Sequence, residues 1–123
     1  MSTRTENMHV LRLDGFWQRL LGLIGRPALS ARQAVLLPGC SAVHTAFMRY
    51  TIDVVFVGDD GRVLRVVRNL RPWRVVGCPG ASHVLETLAG CAPTDDVVQA
   101  VVRQALGVPY RPRRKARRQF DDG

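Results

Sequence analysis

The chain lacks the long apolar run that a membrane helix requires: no stretch approaches about 20 uninterrupted apolar residues. Its opening, "MSTRTENMHVLRLDG", has no apolar core of the length a secretory leader needs. A cytoplasmic location is expected on that reading. Cysteine is scarce, and Cys40, Cys78 and Cys91 are widely spaced. The tight C-x-x-C pairs of a zinc framework are missing, and an odd number of thiols in a leaderless chain is expected to stay reduced. No metal site and no cofactor are expected. Phosphate-loop and dinucleotide patterns are also absent, because "GLIGRP" has neither the lysine nor the third glycine.

Acidic residues are the minority, 10 against 18 basic ones, for a net charge of +8. Half of that excess sits in residues 109–123, "PYRPRRKARRQFDDG", which carry six basic and two acidic side chains. Prolines, charge density and few apolar residues predict a disordered basic tail after a single compact domain over residues 1–108. A second basic feature is Arg62, Arg65, Arg68, Arg71 and Arg74 in "GRVLRVVRNLRPWRVVG". The valines and Pro72 predict extended structure, in which a period of three alternates faces, so these arginines form no single patch, though three of them can line an edge or rim. Only Trp73 lies among them, and a nucleic-acid partner is therefore not expected.

Periodicity and punctuation predict the elements. "HVLRLD" and "AVLLPG" (34–39) read as short strands, and "GFWQRLLGLIG" as a short amphipathic helix stopped by Gly25 and Pro27. "TIDVVFV" (51–57), the turn "GDDG" and "RVLRVV" (62–67) predict a central β-hairpin. Residues 69–81 read as a connection. "SHVLETLAG" reads as a strand, and "PTDDVVQAVVRQALG" as a helix capped by Thr94 or Asp95 and closed by Gly107. The expected architecture is α+β: a small, β-rich, barrel-like mixed sheet with a central hairpin, a short N-terminal helix and a C-terminal helix.

Chemistry-bearing residues gather in "HTAFMRYTID". Cys40, His44 and Asp53 have the residue types of a thiol nucleophile, a base and an orienting acid, though their spacing fixes no geometry. Arg26, His44, Thr45, Arg49 and Asp53 are candidates to line a polar, ligand-binding cleft beside the hairpin. Asp53 begins a strand that is apolar on both parities, so its carboxylate is expected to be buried and partnered. Arg26 and Arg49 are the nearest candidates by motif, and the amides of residues 44–48 are the next. On that view the polar half of the segment chiefly clamps a loop against the sheet.

Gly22, Leu23, Ile24, Gly25 and Arg26, then Phe47, Met48, Ile52 and Asp53, the Asp60–Gly61 turn, and Leu85, Glu86, Ala89 and Gly90 follow one another in order. Over residues 16–90 this pattern resembles the bacterial domain of unknown function 192 family, nearest to members with an "HTxFMR" motif. The resemblance implies a compact β-rich domain without an assigned activity. It implies relatives that are often exported, and nearest kin beside cell-envelope or pilus machinery. The chain departs from that pattern at its end, where helix-patterned residues 94–106 and the basic tail stand in place of a short closing strand. The expected function is a binding or accessory domain with a protein partner or a small ligand. The alternative is a small enzyme using the Cys40, His44 and Asp53 set.

Overall fold

A computed structural model describes residues 2–5, 8–13, 30–46 and 48–107. The strands are β1 (Ser2–Thr5), β2 (Met8–Arg12), β3 (Gln33–Pro38), β4 (Ala42–His44), β5 (Ile52–Val57), β6 (Val63–Leu70), β7 (Val75–Gly77) and β8 (His83–Leu88), and the helix is α1 (Asp95–Leu106). Six strands form one sheet in the order β1-β2-β3-β8-β5-β6, while β4 and β7 pair separately. The larger sheet is mixed, since β2 and β3 run parallel and its other pairs antiparallel.

Side-chain alternation splits the core into two layers. On one face Val35, Leu37, Ile52, Val54, Phe56 and Val84 pack with Val43, Met48 and the partly buried Val76, so the β4–β7 pair covers this side. On the other face Val10, Ala34, Leu36, Val55, Val57 and Leu85 pack against Val98, Val101 and Val102 of α1. Strand β5 is buried at every position because it is interior and covered on both faces, which is why its sequence is apolar at both parities. The α+β expectation holds, with one correction. The sheet is open, with β1 and β6 at its edges, and not barrel-like. A small second sheet covers the face that closure would have hidden.

The expected hairpin is β5–β6, turned by residues 58–61, where Gly61 (φ +86°) donates its N–H to the Gly58 carbonyl at 3.0 Å. Its second strand is a sheet edge, so the hairpin lies at one side of the sheet. Helix α1 follows Thr94, has Asp95 and Asp96 in its first turn, and ends at Gly107 in the left-handed conformation. Arg12 Nη1 donates to the Ala105 carbonyl at 3.0 Å, joining β2 to the helix end. Strand β7 lies inside the segment read as a connection, and β1 and β4 are further additions. The expected N-terminal helix and Arg26 fall outside the described residues, as does the basic tail.

A rigid turn presenting Trp73 as the candidate binding surface

Asp53 is fully buried, and the pleat determines which way it points. Ile52 and Val54 face the β4–β7 side, so Asp53 faces the helix side. There Oδ1 accepts the Asn69 N–H at 2.9 Å, while Oδ2 accepts the N–H groups of Gly90 at 3.0 Å and Ala92 at 3.3 Å. Arg68 Nη1 lies 3.6 Å from Oδ2, but the Arg68 side chain is 60% exposed, so solvent screens this pair. Backbone amides are thus the main partners. Arg49, one of the expected partners, is exposed to solvent. The bond to Asn69 has a local cause: between the pairs Ile52–Leu70 and Val54–Val67, two residues of β6 stand opposite Asp53 alone. This bulge puts Asn69 at φ +57° and turns its N–H toward the carboxylate.

Thr45 grips the next few residues from the other side. Its side chain is fully buried. The hydroxyl donates to the Arg71 carbonyl at 2.7 Å and accepts the Arg74 N–H at 2.9 Å. The Thr45 N–H donates to the Arg74 carbonyl at 2.8 Å, and its own carbonyl accepts the Trp73 N–H at 3.0 Å. One threonine therefore fixes the whole Arg71–Arg74 turn. The turn needs fixing, because Trp73 sits at φ +64°, a left-handed conformation that a bulky side chain rarely adopts.

This turn carries the most exposed large apolar side chains among the described residues, Trp73 at 63% and Val75 at 79%. Val75 pairs with His44 across the small sheet, and both are exposed. Arg71 and Arg74, next to them in sequence, are exposed, and Arg65 Nη1 donates to the Gly77 carbonyl at 2.6 Å, tying β6 to β7, whereas Arg68 reaches Asp53 on the helix side. Regular strand spacing alone would have scattered these arginines over both faces. The bulge at Asn69 and the turn at Trp73 break that spacing and leave Arg71 and Arg74 on the turn itself.

The other candidates are placed apart from one another. Cys40 packs against the core cluster beneath the small sheet, as does Cys78, and none of the three cysteines forms a disulfide. His44 lies on the solvent side of β4, whereas Asp53 lies across the main sheet, so the structure does not bring His44 and Asp53 together. Among the described residues no three His, Cys, Asp or Glu side chains converge on a metal site. His83 accepts the Gly39 N–H through Nδ1 at 3.1 Å, and its pKa is lowered, chiefly by burial. Sequence reasoning missed Asn69 and the role of the Trp73 turn. The available signals were an asparagine, which tolerates positive φ, and the Pro72–Trp73 pair.

Comparisons with known proteins agree with this fold. The chain is 33% identical over 82 residues to a UPF0127 protein of Thermococcus sibiricus, an alignment covering 63% of this chain and 53% of the relative, so it spans about half of that relative's length. The crystal structure of a "putative transcription regulator" from Sinorhizobium meliloti 1021 superposes with a TM-score of 0.62 at 21% identity, covering 86% of this chain and 79% of that one. A protein of unknown function from Novosphingobium aromaticivorans gives a TM-score of 0.58 at 18% identity, covering 88% and 77%. At these identities the two structures speak for the fold alone. A family model described as an uncharacterized ACR, DUF192, matches residues 1–100, and the chain belongs to the DUF192 family.

Proposed function

We propose that the chain is a non-catalytic binding module, an accessory domain whose working surface is the Trp73 turn and its arginine rim. One observation carries this reading: two fully buried polar side chains, Thr45 and Asp53, hold the 69–74 segment in a conformation that displays a tryptophan to solvent. Backbone strain persists only where its surroundings over-determine it, and here the strained residue is also the exposed one. Among the ligand candidates, His44 and Arg49 supply accessible polar groups, while Thr45 and Asp53 act as supports. A setting at the cell envelope comes from the family resemblance, not from this geometry. The placement of His44 and Asp53 on opposite sides of the main sheet favours binding over the thiol-enzyme alternative.

The test is an NMR titration of the labelled full chain with an anionic oligosaccharide, an acidic peptide and anionic bicelles. Shifts concentrated at His44 and residues 71–75 with any one of them are expected. Perturbation confined to the surroundings of Cys40, together with ester hydrolysis lost in Cys40→Ser, would favour the enzyme instead.

A further inference from the structure

We propose that the Trp73 turn docks the protein onto an anionic lipid bilayer, an inference that rests on the binding reading above and names the partner. Trp73 and Val75 are the two most exposed large apolar side chains described, and they flank Arg74 where the turn enters β7. Exposure of 63% and 79% at neighbouring positions means that the pair projects outward and is not recessed in a groove. Beside the pair in sequence stand the exposed Arg71 and Arg74, and the exposed His44 pairs with Val75 across the small sheet.

The neighbouring sequence is free of acids. Residues 61–85 and 40–52 contain neither Asp nor Glu; of the three carboxylates between these stretches, Asp53 is fully buried, and Asp59 and Asp60 sit in the β5–β6 turn, at the opposite end of β6 from Trp73. The four bonds from Thr45 fix the turn beforehand, so docking need not order it.

Charge and apolar surface occur here in the arrangement a bilayer can satisfy. Phosphate headgroups meet the arginines, and the apolar boundary just beneath them receives the indole and the valine. A nucleic-acid strand would offer phosphates and a stacking face for Trp73 but no counterpart for Val75. An extended acidic peptide would answer the charge and leave the projecting apolar pair in water.

Co-sedimentation of the full chain with phosphatidylcholine vesicles containing about 30% phosphatidylglycerol, against phosphatidylcholine alone, tests the proposal. Binding is expected only to the anionic vesicles and should weaken as NaCl rises from about 0.1 to about 0.5 M. Because the basic tail could also attract anionic vesicles, the deciding variants leave it intact. Trp73→Ala and Val75→Ser should each weaken binding by about tenfold, the order expected for losing one inserted apolar group. The highly exposed Val75 provides a second reading if loss of Trp73 disturbs the fold. Quenching of tryptophan fluorescence by brominated lipid should be present in the wild type and sharply reduced in Trp73→Ala.

Unchanged vesicle affinity in both variants would overturn the proposal and assign any binding to net charge. So would a Trp73 dependence seen with single-stranded oligo-dT and not with vesicles. Either result leaves the broader binding reading standing if the NMR shifts still gather at the turn, and removes it if they do not.

Discussion

A carboxylate inside a sheet must be neutralised locally, and Asp53 achieves this with three amide donors from distant positions. Removing it strands those donors, each costing about 1–3 kcal/mol when left without a partner, so Asp53→Ala should lose about 3 kcal/mol or more of stability. Cys40→Ser, at a half-buried position, should be mild by comparison. Urea melts of both variants measure the contrast, and an unaffected Asp53→Ala protein would remove the clamp.

His83 supplies the pH dependence at this scale. Burial lowers its pKa below 6.5, with Asp59 opposing and Arg12 assisting. The unfolded chain then binds more protons between the two values, so stability rises with pH across that window. The contribution is fully present above 6.5 and is lost as pH falls through the lower folded value. Comparing urea midpoints at about pH 7.5 and about pH 5.5 should show a drop that His83→Gln reduces.

Between elements, the hairpin turn lies tightly against α1. A Cβ on Gly61 would meet the Gln99 backbone oxygen at 3.2 Å, and the φ of +86° already disfavours any side chain there. Arg103 Nε also donates to the Asp60 carbonyl at 3.1 Å across the same seam. Gly61→Ala should therefore cost about 1–2 kcal/mol, read from the thermal midpoint.

The sequence reveals elements of this kind well, because their signals are local. The "GDDG" turn lies between two valine-rich runs, and α1 combines helical periodicity, acids in its first turn and a closing glycine. The three-residue β4 and β7 carry no such periodicity, and their pairing depends on a turn held by Thr45 from 26 residues away. The partners of Asp53 are equally non-local. Pleat parity and the bulge at Asn69 send the carboxylate toward residues 69, 90 and 92, whereas motif proximity suggested Arg26 and Arg49. The sheet stays open because the β4–β7 pair covers one face as a separate layer, and no strand pattern in the sequence announces that arrangement.

Across the molecule, the segment from Asn69 to Arg74 is the joint between the six-stranded sheet and the smaller sheet laid over it. Asp53 holds one end of this joint from the helix side, and Thr45 holds the other from beneath the small sheet. The Asp53 carboxylate also reaches the chain that leaves β8 on its way to α1. In the language of amide exchange, Asn69, Gly90 and Ala92 answer to one acceptor although they belong to different parts of the chain. Their deuterium uptake should follow a single opening event, with matched protection in the wild type and joint acceleration in Asp53→Ala. Three unrelated rates would mean that the ends of β6 and β8 open independently, and the rim carrying Trp73 would then breathe without disturbing the helix.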